Sequence, residues 1–265
     1  MPGEGSIRNA FTLAEVLITL AIIGVVAAMT IPTLISDFQE KVTVTKLQKV
    51  YSALKNAFDL ARIEHGNFSS WSWTHVPTDN GARTKYFWET YILPNLKVSK
   101  TCFPLTTECF PYDEVETLDG STYYSSEKHG GFVLSDGTMV HSWAGGDPEY
   151  GAHVWIVVDI NGSNKPNIIG NDIFYMLFRI SPMDVEYGTT DENGNFQASG
   201  TYREPLGLSL YGENSGFTAA ELVDSSVGGD STQHYFCTKE SVGRACGAAI
   251  KLNGWKIPDN YPHKF

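Results

Sequence analysis

Residues 11–35 read FTLAEVLITLAIIGVVAAMTIPTLI, and Glu15 is the one charge among them. A helix needs about 20 apolar residues to cross roughly 30 Å of hydrocarbon, and this run is long enough. A carboxylate near the start of such a run is costly to bury, so Glu15 needs a partner and reads as a functional residue. The rest of the 265-residue chain reads as what that helix carries.

Charged residues make up 18% of the chain and the formal net charge is −11. That balance argues against a nucleic-acid-binding surface, which would cluster Lys and Arg. With 25 glycines and 12% aromatic residues, the remainder suits a β-rich, turn-rich head better than a helical bundle. Cys102, Cys109, Cys237 and Cys246 form two close pairs without the CxxC spacing of zinc or redox sites. An even count behind an apolar N-terminal segment favours disulfides in an oxidising compartment. Of the three connectivities, Cys102–Cys109 with Cys237–Cys246 is preferred because short loops meet first; free buried thiols are the alternative.

Three readings of the N-terminus compete. Val26-Ala27-Ala28 offers small residues that a signal peptidase would accept, but Glu15 interrupts the apolar core and the helical pattern continues past Ala28. A plain signal anchor is the second. The third is a leader, residues 1–10, cut before the apolar run so that residues 11–35 stay in the mature protein.

Ala10-Phe11-Thr12-Leu13-Ala14-Glu15, followed by Val16-Leu17-Ile18, resembles the type IV prepilin motif of pilins, secretion pseudopilins and competence pilins. The resemblance implies cleavage between Ala10 and Phe11 by a prepilin peptidase and N-methylation of Phe11. It further implies an assembly role for Glu15, with Gly24 and Pro32 as helix-loosening positions. Ala10 departs from the Gly that usually precedes the cut, which bears on processing efficiency.

The implied partners are other pilin-like subunits in a homo- or hetero-fibre, an inner-membrane assembly platform, and the membrane itself before assembly. The implied location is a single pass in the inner membrane with the head extracytoplasmic, then a pilus or a periplasmic pseudopilus. Charge does not orient the span by itself, since Lys41, Lys46 and Lys49 follow the run and only Arg8 precedes it.

Physical chemistry supports the same residues. Cleavage before Phe11 creates an ammonium four residues from Glu15, on the same helical face. Each buried charge alone costs several kcal/mol (roughly), so each stabilises the other. The pair forms within one subunit or between neighbours, where it sets axial register. A Glu15 that snorkels to the interface is the bland alternative. Pro32 has no backbone donor and loosens the helix locally, or else marks a break at the membrane surface.

Residues 36–66 continue as an amphipathic helix. Leu47, Val50, Tyr51, Leu54, Phe58 and Ala61 recur at three- and four-residue spacing, and His65-Gly66-Asn67 supplies the stop. Residues 67–265 form the head. A short helix is predicted over 85–96. Residues 131–140 read as a hairpin around Asp136-Gly137, and 154–160 (VWIVVDI) as a further strand. The expected fold is α+β: a long N-terminal helix, half membrane and half amphipathic, packed on one face of a small antiparallel sheet of three to five strands with long loops. Residues 184–235, rich in Gly, Ser, Thr and acids, read as a loop-rich insertion with room for short strands. The tail around Tyr261 is expected to pack back on the head.

Residues 159–174 are dense in oxygen side chains. Asp159, Asn161, Asn167 and Asp172 are candidate calcium ligands, although turn-forming Asn, Asp and Gly explain the composition without metal. No other cofactor is expected. No GxSxG, HExxH, GxxxxGKS/T or GxGxxG motif is present, and strand alternation alone would bring His141 towards His153. The chain therefore reads as a non-enzymatic fibre subunit of a type IV pilus or type II secretion pseudopilus. The alternative is a membrane-anchored extracytoplasmic binding module using Trp71, Trp73 or the 184–235 loops.

Overall fold

The computed structural model describes residues 12–77, 81–112, 114–124, 129–145, 152–191, 196–227, 236–263 and 265. Cleavage between Ala10 and Phe11 lies outside the described residues. Two compact units divide the chain: residues 1–40 with Phe265, and residues 41–264.

The first unit carries the apolar half of helix α1, Leu13–His65. None of the 18-residue apolar window of this helix is buried, and it is long and apolar enough to cross a membrane. Leu13, Leu17, Ile18, Ile22 and Ile23 are all exposed. The hydroxyls of Thr19 and Thr30 donate to the carbonyls of Glu15 and Val26, each at 2.9 Å. A hydroxyl satisfied by its own helix costs little to place in lipid. The helix runs through Pro32 without a break in its assignment.

In the second unit α1 buries Leu47, Val50, Tyr51, Leu54, Ala57, Phe58 and Ala61, the stripe that the spacing predicts plus Ala57. The helix stops at His65, where Gly66 turns into the left-handed region with φ 81°. Glycine carries no Cβ penalty there.

The stripe packs on a six-stranded antiparallel sheet. Its strands are β1 (Val98–Cys102), β4 (Gly130–Leu134), β5 (Met139–Gly145), β6 (His153–Asp159), β7 (Ile173–Arg179) and β10 (Gly207–Leu210), in the order β1-β4-β5-β6-β7-β10. Register places Val154 opposite Phe178 and Ile156 opposite Met176, which puts all four on the helix-facing side. Phe58 meets Phe178 there at 4.5 Å between ring centroids. Trp88 Nε1 donates to the buried Ser142 Oγ at 2.5 Å, so that core hydroxyl and indole satisfy each other.

The opposite face is covered too, where the sequence led us to expect one covered face. Cys102, Leu105, Cys109, Phe110 and Val115 form a second cluster on Val157, Ile173 and Tyr175. Strand β7, IFYMLFR, is buried along its whole length. A strand covered on both sides reads as a continuous apolar run, and β7 does.

Two other expectations are revised, and the strands allowed for within 184–235 are located. The sheet has six strands, and two small hairpins accompany it: β2 (Glu114–Glu116) with β3 (Thr122–Tyr124), and β8 (Met183–Thr190) with β9 (Phe196–Glu204). The β8–β9 hairpin and β10 occupy much of the region read as loop-rich, because alternating Tyr, Thr and Val outweigh the turn residues between them. A buried Arg179–Glu204 ion pair at 2.5 Å joins β7 to this hairpin. The helix expected over 85–96 is instead α2 (Ala82–Phe87), a π-turn over Trp88–Ile92 and a 3-10 turn over Leu93–Asn95. Pro94, which cannot donate, falls in that last turn.

Both cysteine pairs are disulfides, Cys102–Cys109 and Cys237–Cys246. The second leads from an irregular segment into the buried helix α4 (Cys246–Leu252), which follows the short α3 (Ala219–Leu222). Converting Cys237 and Cys246 to serine is expected to lower stability by about 2–3 kcal/mol, the loop-closure value for a ring of about ten residues. Denaturant titration under non-reducing conditions checks it.

Candidate functional site

The start of α1 is held by a reciprocal cap. Thr12 Oγ1 accepts from the backbone N–H of Glu15 at 3.2 Å. The Glu15 carboxylate in turn accepts from the Thr12 N–H at 2.8 Å and its hydroxyl at 2.9 Å. This is a capping box, and each bond satisfies a helix-end donor that has no partner within the helix. In the single chain, then, Glu15 is engaged by its own helix start. Thr12 is the residue our reading passed over, although Thr12-Leu-Ala-Glu15 carries the T-x-x-E signature in plain view. Further along, a Cβ added at Gly24 would meet nothing within 4 Å, so the helix surface is notched there. Pro32 lies eight residues beyond and leaves one carbonyl of the preceding turn without its helical donor.

The second constellation is the β6–β7 loop. The fold brings Asp159, Asn161, Asn167 and Asp172 together. Asp172 Oδ2 accepts from Asn161 Nδ2 at 2.7 Å and from the Asn167 N–H at 2.9 Å, while its Oδ1 accepts from the Ile168 N–H at 2.7 Å. Asp159 Oδ1 accepts from the Asn161 N–H at 2.9 Å, and the Tyr112 hydroxyl donates to its Oδ2. Asn167 holds a left-handed φ of 60°, a conformation Asn tolerates well.

Burial pushes the Asp159 carboxyl up to about 8; the Asn161 N–H opposes this, and the charge of Asp172 adds to it. Asp172 is also raised by burial, against the N–H donors of Ile168 and Asn167. The loop is anchored on two sides. Backbone bonds pair it with β2 through Glu116, and the Tyr261 hydroxyl donates to the Gly170 carbonyl. Gly170 itself is required, since a Cβ there would come within 2.7 Å of Cys246 Sγ at a φ of +88°. Tyr112 and Tyr261 are contributors that sequence order conceals, because both arrive from distant segments.

Lys49 on α1 pairs with Asp136 in the β4–β5 turn at 2.8 Å. Burial raises the Asp136 carboxyl, but the Lys49 ammonium and the Thr138 N–H outweigh it and hold the group below its ordinary value.

Other sequence candidates separate. Trp71 and Trp73 are 2% and 0% exposed and belong to the ring cluster under α1, so they form no surface platform. Half-buried aromatics include Trp143 and Trp155, a cross-strand pair stacked at 5.4 Å, and Tyr211 stacked on Trp155 at 5.2 Å. Register sets His141 opposite Val157 and His153 opposite Gly145, four residues apart along the ladder, so the two histidines do not form a pair. Among the described residues no three His, Cys, Asp or Glu side chains converge as metal ligands.

A long capped apolar helix leading into an α+β head has a counterpart among known sequence families. Residues 6–31 match the model of the prokaryotic N-terminal methylation motif, a stretch that takes in Ala10, Phe11, Glu15 and Gly24. The helix and the motif together define a type IV pilin-like or pseudopilin-like protein. Within that class, the chain belongs to the family of unknown function DUF6613, whose model matches residues 33–265. No curated protein and no solved structure matches the chain.

Proposed function

We propose that this protein is a structural subunit of a type IV pilus or type II secretion pseudopilus-like fibre. The observation that carries the reading is the methylation motif laid over the first turns of an apolar helix whose side chains are exposed. In this reading a prepilin peptidase cuts between Ala10 and Phe11, Phe11 is N-methylated, and the subunit waits as a single-pass inner-membrane protein with its head outside. An assembly platform then extracts it, and exposed residues such as Leu13, Leu17 and Ile18 exchange lipid for neighbouring helices.

The capping box supplies a mechanism for register. Before assembly Thr12 donors hold the Glu15 carboxylate at the helix start. In the fibre the carboxylate accepts from the ammonium of a neighbouring Phe11, a stronger, charge-assisted bond. The mechanism is assembly, with no covalent chemistry of the protein's own. The competing reading, a membrane-anchored binding module, relied in part on Trp71 and Trp73, and both are buried.

Mass spectrometry of the N-terminal peptide from sheared fibres tests the proposal. The expected peptide begins with N-methylated Phe11. An intact leader, or a mature end beside Ala28, overturns it.

A further inference from the structure

We propose that the β6–β7 loop is a calcium site built from the side-chain oxygens of Asp159, Asn161, Asn167 and Asp172. The carboxylates do not carry this alone. The Oδ1 atoms of Asn161 and Asn167 are both shut off from solvent, and neither accepts a hydrogen bond. A buried amide oxygen without a donor is costly, and native structures rarely leave two in one loop. Donors are abundant in this loop, yet they go to the carboxylates and to backbone carbonyls. The two amide oxygens are what a cation would satisfy.

Placement agrees. Asn161 is fixed to Asp172 through Nδ2 and to Asp159 through its backbone N–H. Asn167 is fixed to the same Asp172 oxygen through its backbone N–H. Single hydrogen bonds thus link Asp159 to Asn161, Asn161 to Asp172 and Asp172 to Asn167 in one chain. The donors are carboxylate and amide oxygens, a hard set that suits calcium and not zinc. Four protein residues leave room for second carboxylate oxygens or water to complete six to eight ligands. The irregular geometry disfavours magnesium, which demands a near-ideal octahedron.

Occupancy would clamp a region that three segments share. The loop pairs with β2 through Glu116, receives Tyr112 on Asp159, and takes the C-terminal Tyr261 hydroxyl on Gly170. The site thus locks the second covering layer of the sheet and the tail onto β6 and β7.

The test uses the full-length protein in detergent, with calcium chloride as the probe, magnesium chloride as control and EGTA to strip the metal. Calcium is expected to raise the melting midpoint by about 5 °C or more at saturation, and magnesium by much less. Asp172→Asn is expected to lose the response. Since that variant also disturbs the loop's hydrogen bonds, Asn167→Gly serves as the second: glycine keeps the left-handed backbone and removes the side chain that carries the amide oxygen. Its calcium affinity, by calorimetry, should fall at least tenfold while its circular dichroism spectrum stays native. Equal native midpoints in calcium and EGTA overturn the site, as does an Asn167→Gly variant that binds calcium like the native protein.

Discussion

Replacing Glu15 by alanine is expected to leave the head folded and remove the subunit from fibres. The carboxylate lies in the first unit and makes its hydrogen bonds to Thr12, so its loss touches none of the packing around Phe58. Within one chain the change costs a capping box, about 1 kcal/mol. Between subunits it costs far more. The Phe11 ammonium of each neighbour would be buried without a counter-charge, and breaking one side of a buried pair costs roughly 3–5 kcal/mol. That is a factor of roughly 100 to several thousand in the association constant at each junction.

The measurement compares sheared-fibre and whole-cell amounts of the variant by immunoblot, with N-terminal mass spectrometry to show that cleavage and methylation still occur. A processed Glu15→Ala subunit that enters fibres at the native level removes the register role. Thr12→Ala separates the two functions of the carboxylate. It loses the cap but keeps the charge, so fibre incorporation should stay close to native.

Phe58→Ala is the second large effect, and here the loss is in the fold. Phe58 is 1% exposed and stands where five rings meet: Phe178 at 4.5 Å, Phe87 at 6.1 Å, Trp88 at 6.3 Å, and Phe68 and Trp71 each at 6.4 Å. These rings belong to the helix, the segment after it, the α2 region and β7. A cavity at that junction cannot close without moving several stiff aromatic side chains, so relaxation recovers little. The expected cost is about 3–5 kcal/mol. For a head of this size it corresponds to a fall of about 10 °C in the melting midpoint. Ile63→Ala, on the same helix but 83% exposed, is the matched control and should shift stability by less than about 0.5 kcal/mol. Thermal circular dichroism on both variants decides; comparable losses would mean that α1 is not seated on β7 through Phe58.

These expectations rest on features of different legibility. Residues 11–35 declare themselves because a membrane-length apolar run with one carboxylate has few physical explanations. The stripe from Leu47 to Ala61 is equally plain, since a helix that buries one face must repeat at three and four residues. The hairpin around Asp136-Gly137 and both short-range disulfides follow from contacts between near neighbours in the chain. All of these are local, and local order is what sequence spacing encodes.

The tertiary structure decided what depends on distant segments meeting. That Trp71 and Trp73 are core residues follows from where β7 places Phe178. His141 and His153 are kept apart by strand register, which a shift of a few residues would have changed. The second covering layer exists because Leu105, Phe110 and Val115 return to the sheet from a segment with no periodic signature. The polar loop shows the division most clearly. Its oxygen-bearing residues were evident from composition, but composition is the same for a solvated turn and for a cage. Only burial distinguishes the two, by enclosing the amide oxygens of Asn161 and Asn167 and bringing Tyr112 and Tyr261 against the loop. Apolar periodicity thus determined the helix and its destination, whereas the chemistry of the head was set by long-range packing, which decides which polar groups lose their water.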